Sequence, residues 1–203
     1  MLIGSIVILS PILFGMIFWD QLPQEMATHF GEANVPNGWS SKPVAVFGLP
    51  VFLLITQWLC LIIMAADPRK KNIGEKLIRI FLWVIPIVSV DVAVSVYGIA
   101  LGKNIDIGMQ TNVMIGILFI VLGNYLHKVK QNYSVGLKLP WTLNNEENWN
   151  RTHRFGAWVF IIAGIAMCVN GYFKSDVALG IIVILTIAAP VVYSYMLYLK
   201  EVK

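Results

Sequence analysis

Charged residues are scarce in this chain. Asp, Glu, Lys and Arg together make up 13% of the 203 residues, whereas hydrophobic residues make up 58%. Ordinary globular chains carry about 25% charged residues. A chain with so little charge could not cover the surface of a soluble domain, and the composition therefore predicts an integral membrane protein.

Cysteines and recognisable catalytic motifs are equally scarce. The two cysteines, Cys60 and Cys168, lie inside apolar runs and have no metal-binding spacing, so we expect them to pack as small hydrophobic side chains. His29, His127 and His153 have no carboxylate at ligand spacing. The chain also lacks the Gly-x-Ser-x-Gly, His-Glu-x-x-His and phosphate-binding glycine motifs. We therefore expect no metal, no cofactor and no enzymatic activity.

The net charge of +4 could suit a nucleic acid partner, but the placement of the charges argues against one. Lys and Arg occupy short connections beside apolar runs, which is where they set the orientation of membrane proteins. We expect membrane lipids as partners, and no direct nucleic acid binding.

Six apolar segments come close to the roughly 20 residues that a membrane-spanning helix needs. The first is followed by Trp-Asp-Gln-Leu-Pro instead of a small-residue cleavage site, which favours a retained span over a signal peptide. The predicted fold class is therefore an all-α integral membrane protein, a bundle of six transmembrane helices. The predicted spans are Leu2–Trp19, Val44–Ala66, Ile80–Leu101, Thr111–Leu126, Phe155–Phe173 and Val177–Leu199.

Positive charge is divided unequally between alternate connections. Twelve of the 15 Lys and Arg residues fall in one set, and Lys42, Lys103 and Lys174 form the other. Because positively charged connections stay in the cytoplasm, the rich set and both termini are predicted to be cytoplasmic. Of the two long connections, 20–43 would lie outside and 127–154 inside.

Asp91 lies near the middle of the third apolar segment. A carboxylate there costs about 2.5–3.5 kcal/mol on insertion scales and usually marks a pathway or a polar partner. Gln57, Tyr97, Tyr193 and Tyr195 are its candidate partners. Two interpretations stay open, a functional ionisable group or a protonated, hydrogen-bonded structural residue.

The predicted inner connection divides into two parts. Up to Pro140 it is basic and is interrupted by Gly136, which favours an irregular strip on anionic headgroups. From Asn144 a short interfacial helix is expected, because Asn144 and Glu147 fit a capping box and Glu147 and Arg151 fit an i,i+4 ion pair.

Two tryptophans, Trp141 and Trp149, are expected to anchor this short helix at headgroup depth. If the connection folds back on itself, its two ends meet, because adjacent spans lie about 8–10 Å apart. A shared cytoplasmic surface is then predicted for Asn124, Pro140, Trp141, Thr142 and His153.

The same stretch resembles the signature of the SdpI family, bacterial membrane proteins that confer immunity to a secreted peptide toxin. The resemblance rests on Gly-Asn-Tyr, a basic spacer with Asn, then Pro-Trp-Thr-Leu and a later Trp…Thr-His. The family is also thought to hold a cytoplasmic transcriptional repressor at the membrane as a signal receptor, so such a repressor is an expected partner. The functional motif implied by the resemblance comprises Asn124, Tyr125, Asn132, Gly136, Pro140, Trp141, Thr142, Trp149, Thr152 and His153.

The outer connection resembles a small N-terminal module of unknown function found in SdpI relatives. The pattern is Leu-Pro, His-Phe, Gly, Pro-Asn-Gly and Ser-Lys, and Asn37 stands where Asp is common. Pro36-Asn37-Gly38 predicts a turn, and both Asn and Asp at position 37 are compatible with it. The resemblance implies a toxin-facing role for four residues, whereas in the alternative Trp19, Phe30 and Trp39 are only interface anchors. The four are His29, Phe30, Gly38 and Trp39.

The charge of this outer connection suits a cationic or amphipathic peptide. Three acids, Asp20, Glu25 and Glu32, stand against one base, Lys42. The resemblance also implies two modules, residues 1–66 with two spans and an extracytoplasmic loop, and residues 67–203 with four spans and the cytoplasmic motif.

The resemblance implies an immunity protein of the bacterial cell membrane that protects against a secreted peptide toxin by binding or sequestering it. The alternative is a small proton- or ion-coupled transporter or export component that uses Asp91. The absence of a visible inverted repeat argues against the transporter. Acid-sensitive transport that requires Asp91 would favour it.

Overall fold

The computed structural model describes residues 1–31 and 34–201, and for Glu201 it describes the backbone only. Glu32 and Lys203, whose charges contribute to the predictions above, lie outside these residues. In chain order the helices and strands are α1 (Leu2–Ile17), β1 (Glu25–Phe30), β2 (Pro36–Ser41), α2 (Leu49–Ala66), α3 (Glu75–Ala100), α4 (Ile107–Leu126), α5 (Pro140–Asn144), α6 (Glu146–Phe173) and α7 (Asp176–Glu201).

All six predicted apolar segments are helical. Within the described residues, five helices are long and apolar enough to cross a membrane, namely α2 with the π-helical turn Val44–Gly48 before it, α3, α4, α6 and α7. Helix α1 is apolar but has 16 residues. The structure therefore supports an all-α membrane architecture, while the count of six spans stays a prediction.

The polar start of α6 lengthens this helix beyond the predicted span. Asn145 adopts an extended conformation and its side chain accepts a hydrogen bond from the Asn148 N–H at 2.9 Å, which caps the helix. Helix α6 thus begins at Glu146 and not near Phe155. The expected cap at Asn144 is wrong by one residue, since the capping residue is Asn145. The expected short helix and the fifth span are one continuous helix.

The short helix of this connection lies earlier in the chain. It is α5, which begins at Pro140 and ends at Asn144, where the sequence predicted a start. Proline suits the first turn because its missing N–H has no partner there in any helix. The Glu147–Arg151 pair is confirmed at 3.4 Å; both side chains are exposed, so it contributes little to stability.

The outer connection contains a β-hairpin that the all-α prediction missed. Strands β1 and β2 pair antiparallel, from Glu25 opposite Ser41 to Phe30 opposite Pro36. The predicted turn at Pro36-Asn37-Gly38 is wrong, because these residues lie in β2. Before β2, the Gly31 N–H donates to the Val35 carbonyl at 2.9 Å.

Asn-Gly serves an irregular pairing here instead of a turn. The register shifts on both sides of His29, which lies opposite Gly38. A Cβ on Gly38 would lie 2.9 Å from the Cβ of His29, too close for any larger residue without movement. Irregular pairing of this kind bends and twists a hairpin.

The chain forms two compact units. The first comprises Met1–Ile62 and Ile78–Ile107, and its buried core is apolar. This core contains Leu22, Met26, Ala45, Val46, Val96 and Tyr97. Below the hairpin, the buried Lys42 donates to the Trp19 carbonyl at 3.0 Å and lies 5.0 Å from the centre of the Trp19 ring.

The second unit comprises Ile63–Leu77 and Gly108–Lys203, and in it α4 and α6 meet backbone to backbone. A Cβ on Gly116 would lie 2.6 Å from the Gly164 carbonyl oxygen, and one on Gly123 would lie 2.8 Å from that of Ala157. Small residues that allow such close approach are typical of helix pairs in membranes. This unit contains the candidate site.

Candidate functional site

Five of the ten residues of the predicted inner motif are buried in the second unit. Asn132, Thr142, Trp149 and Thr152 are fully buried, and His153 is 1% exposed. With the fully buried Asn148 they form what we term the polar core, which comprises Asn132, Thr142, Asn148, Trp149, Thr152 and His153. The expectation that Trp149 anchors at the headgroups is wrong, because its ring has no exposed surface.

Asn148 joins the start of α6 to α7. Its Oδ1 accepts hydrogen bonds from the hydroxyls of Ser194 at 2.8 Å and Thr152 at 3.0 Å. Its Nδ2 donates to the Ser194 carbonyl at 3.1 Å. The Ser194 hydroxyl in turn accepts from the Trp141 indole N–H at 2.7 Å. Residues from α5, α6 and α7 are therefore connected through a single amide side chain.

His153 and Trp149 hold the middle of the inner connection against α6. The His153 Nδ1 lies 2.8 Å from the Trp149 carbonyl, and its Nε2 accepts from the Leu137 N–H at 2.9 Å. Because a carbonyl can only accept, Nδ1 carries the proton and the ring is neutral. The indole N–H of Trp149 donates to the Val129 carbonyl at 2.7 Å.

Gly136 is required by the same arrangement. Its φ of +116° lies in a region that side-chain-bearing residues rarely adopt, and a Cβ there would collide with the His153 ring and lie 3.1 Å from that of Trp149. The rings of Trp149 and His153 are stacked with centroids 4.0 Å apart. The glycine of the motif thus has a geometric role.

Thr142 and Asn132 fix the two ends of the irregular strip. The Thr142 hydroxyl accepts from the Leu139 N–H and can donate to the Leu137 carbonyl, both at 2.9 Å. Asn132 Oδ1 accepts from the N–H groups of Ser134 at 2.9 Å and Val135 at 2.7 Å. These side chains satisfy backbone groups that have no helix or sheet partner.

A second polar cluster, around Asp67, ties the turn after α2 to this strip. The Asp67 carboxylate, 5% exposed, accepts from the Arg69 N–H at 2.7 Å, the Tyr133 N–H at 2.9 Å and the Ser134 hydroxyl. Burial alone would raise the pKa of Asp67, but these hydrogen bonds outweigh it and hold the pKa below its usual range.

Gln131 completes the connection to that turn. Its Nε2 donates to the carbonyls of Thr142 at 2.8 Å and Leu143 at 3.0 Å, and its Oε1 accepts from Arg69. Its own carbonyl accepts from Asn72 at 2.7 Å. The inner connection is therefore hydrogen-bonded to α5, to α6 and to the turn after α2.

Other members of the predicted motif lie at the edge of the polar core. Asn124 and Pro140 are exposed, and Tyr125 is half-buried with the Lys128 ammonium 5.2 Å from its ring centre. Trp141 is half-buried, and its ring packs on those of Tyr195 and Tyr198. The structure thus does not bring Asn124 into the cluster.

Four residues of the site were not predicted from the sequence, namely Asp67, Gln131, Asn148 and Ser194. Two patterns could have indicated Asp67 and Ser194. Asp67 is an acid directly before the basic run Arg69-Lys70-Lys71, and Ser194 is a hydroxyl within an apolar span.

The predicted toxin-facing residues lie on the hairpin. The Trp39 side chain is 59% exposed, His29 is exposed and hydrogen-bonded to Asn37, and Phe30 and Gly38 are half-buried. In the first unit, Asp91 is half-buried in α3, and its carbonyl accepts from the Ser95 hydroxyl at 2.9 Å. Gln57, one candidate partner of Asp91, donates to the Leu82 carbonyl instead.

The hydrogen bonds of the polar core hold the helices and the inner connection together. Nucleophilic catalysis needs an activated group with access to substrate, whereas the His153 imidazole is enclosed and both its nitrogens are engaged. Within the described residues, no group of three or more His, Cys, Asp and Glu residues could hold a metal ion.

Two family models match separate parts of the chain. Residues 128–195 match the model of the SdpI/YfhL protein family, and residues 6–54 match a domain of unknown function, DUF1648. The resemblance to the SdpI family is confirmed. The chain is also 26% identical over 202 residues to "Immunity protein SdpI" of Bacillus subtilis (strain 168), covering 97% of this chain and 93% of that protein. No solved structure matches.

The SdpI/YfhL match begins at Lys128 and ends at Tyr195, and so encloses the whole polar core together with Ser194. The DUF1648 match encloses the hairpin. With five long apolar helices in the part of the chain that the structure describes, this is a multi-pass protein of the bacterial cell membrane.

Proposed function

We propose that this protein protects its cell against a secreted, membrane-active peptide toxin, by binding or sequestering the toxin without chemical turnover. The observation that carries the proposal is the similarity to an immunity protein over 97% of the chain. The test is to express the protein in a toxin-sensitive strain and to challenge the cells with candidate peptides. Survival equal to that of cells with an empty vector, at normal membrane abundance, contradicts the proposal.

The proposed topology has six spans with both termini in the cytoplasm. Helix α1 is about 24 Å long at 1.5 Å per residue, which is short for a hydrocarbon core of about 30 Å. The apolar Phe18 and Trp19 extend it at its end. A reporter fused after Lys203 should be cytoplasmic and one inserted near Asn34 extracytoplasmic. An external position after Lys203 excludes six spans.

The proposed toxin-facing element is the hairpin. A two-stranded sheet has two open edges, to which an extended peptide can add by backbone hydrogen bonds. Trp39 supplies an aromatic anchor of the kind that dominates binding surfaces.

Trp39 has a matched control on the same hairpin. Val35 is equally exposed, at 59%. We expect Trp39→Ala to lose protection while Val35→Ala retains it, with unchanged membrane abundance for both. Equal protection by the two variants would exclude Trp39 as the anchor.

The proposed signalling role, in which a cytoplasmic repressor is held at the membrane, concerns the exposed surface of the inner connection. Because the polar core is enclosed, a partner would contact exposed residues such as Lys130, Tyr133 and Lys138. We expect Lys130→Glu with Lys138→Glu to abolish the transcriptional response to toxin and to leave protection intact. Lys70→Glu with Lys71→Glu, on another connection, is the control. An unchanged response in the first variant contradicts this role.

The alternative function, a proton- or ion-coupled transporter, depends on Asp91. Asp91→Asn keeps the shape of the side chain but removes its ionisable group. Protection that is indifferent to this change favours immunity by binding, whereas acid-sensitive transport that is lost with it favours the transporter.

A further inference from the structure

An apolar groove of about 410 Å³ lies in the first unit, between α1 and α3. Ser10, Pro11 and Phe14 line it on one side, and residues from Val90 to Ile105 line it on the other. Pockets of 300–1,000 Å³ with apolar walls and a few polar groups are typical of small-ligand sites.

The walls of the groove offer almost nothing to a polar ligand. The Ser10 hydroxyl already donates to the Val7 carbonyl at 2.8 Å. Tyr97 presents its ring, which stacks on that of Phe14 with centroids 5.8 Å apart, while its hydroxyl is buried. Val94, which also lines the groove, is 56% exposed. The ligand must therefore be a hydrocarbon along this length.

The length of the groove corresponds to one leaflet of a membrane. Its lining starts at Val90, in the middle of α3, and continues past the end of the helix to Leu101 and Lys103. At 1.5 Å per residue, Val90 to Leu101 spans about 16 Å, close to half of a hydrocarbon core of about 30 Å. A ligand lying in it would reach from the bilayer centre to one surface.

A positively charged side chain lies at the end of the groove that would meet the membrane surface. Lys103 is exposed and is the only charged residue of the lining. The nearest acid in the sequence, Asp106, accepts a hydrogen bond from Asn34 at 2.9 Å. Basic groups at the membrane surface bind anionic headgroups. The groove thus combines a hydrocarbon-lined channel with a positively charged end.

We propose that this groove holds one acyl chain of an anionic phospholipid from the leaflet on the Lys103 side, with its headgroup at the Lys103 ammonium. A helical peptide of the same length is about 10 Å across and occupies more than about 1,000 Å³, which exceeds the volume of the groove. An acyl chain is thin enough to lie in it.

The test is native mass spectrometry of the purified full-length protein with added phosphatidylglycerol. We expect wild type to bind a first lipid more tightly than later ones. Val94→Trp fills the groove and should weaken this first binding about tenfold or more. Val192 has the same exposure of 56% but lies on α7, outside the groove, so Val192→Trp should bind lipid like wild type.

The headgroup contact is tested separately. Lys103→Gln should reduce the preference for phosphatidylglycerol over phosphatidylcholine about fivefold, the effect of one lysine near a charged surface, and should leave acyl binding in place. Lys174→Gln, at another connection, should not change it.

Unchanged lipid binding in Val94→Trp overturns the proposal, as does equal weakening in the two valine variants. A protein dimer that is present without lipid and lost in Val94→Trp also overturns it, because the groove would then belong to a second copy. A melting temperature equal to that of wild type shows that each variant is folded, and the exposure of Val94 makes this the expected result.

Discussion

The two compact units of this protein are stabilised in different ways. The core of the first unit consists of apolar side chains such as Leu22, Met26 and Val46. The buried residues around the inner connection of the second unit are mostly polar, and each has hydrogen-bond partners. Across the described residues, the buried side-chain oxygen without a partner is the Tyr97 hydroxyl, which lies in the first unit.

This difference has a physical cause. The inner connection between Leu126 and Pro140 is irregular, so its backbone groups lack helix partners and would be costly to bury alone. Side chains of α5 and α6 supply some of those partners, and Asn132 and Asp67 supply others. We infer that the many polar residues of the motif are explained by the support of this connection, and that they need not contact any ligand.

The largest effect is expected at the close contact of α4 and α6, which leaves no room for a larger side chain. In Gly164→Leu the new side chain would enter the backbone of α4 at Gly116, so the helices must separate. We expect the variant to be nearly absent from the membrane fraction, as measured by immunoblot. Gly180→Leu is the control, because nothing lies within 4 Å of a Cβ at Gly180. Normal abundance of Gly164→Leu would contradict the close contact of α4 and α6.

The next effect tests whether the polar core acts as a scaffold. Asn148→Ala leaves the buried hydroxyls of Thr152 and Ser194 without the acceptor they share. Each such group costs about 1–3 kcal/mol, so we expect a clear fall in the melting temperature in detergent. Asn150→Ala, exposed on the same helix, should have little effect. If Asn148→Ala instead loses protection at an unchanged melting temperature, the core has a direct functional role.

The sequence predicted the helices of this protein better than it predicted its connections. Long apolar runs determine spans, because a membrane leaves the backbone no alternative to a helix. The start of α6 was missed because polar residues such as Glu146 and Arg151 look like a separate surface helix, although Asn145 caps one continuous helix. The hairpin was missed because Asn37-Gly38 usually marks a turn, and its use in irregular strand pairing depends on the partner strand.

Whether the motif residues form a functional site stays a prediction, and their burial was not expected from the sequence. The residues from Asn132 to His153 do gather, yet they are buried, since the partners that enclose them come from distant positions such as Asp67 and Ser194. Hydrogen bonds over more than 40 residues of sequence cannot be inferred from local patterns.

A smaller effect, dependent on pH, is expected at Asp67. Its pKa is lower in the folded protein than its ordinary value of 3.8, so its contribution to stability is present above pH 4 and is lost as the pH falls through the folded pKa. Asp67→Asn should lower the melting temperature at pH 7, and its loss of stability on acidification below pH 4 should be smaller than that of wild type. Asp20→Asn, exposed in the first unit, should behave like wild type. An Asp67→Asn variant with the pH dependence of wild type would contradict the lowered pKa.

The smallest effect is expected in the first unit and has the opposite sign. Tyr97→Phe removes a buried hydroxyl that has no hydrogen-bond partner among the described residues and keeps the ring that packs on Phe14. Because burying an unpaired hydroxyl is unfavourable, the melting temperature should stay constant or rise, by the equivalent of at most about 1 kcal/mol. Tyr172→Phe, whose side chain is 79% exposed, should leave it unchanged. A lower melting temperature for Tyr97→Phe would mean that the hydroxyl has a partner, and the first unit would then rely on buried polar contacts as the second does.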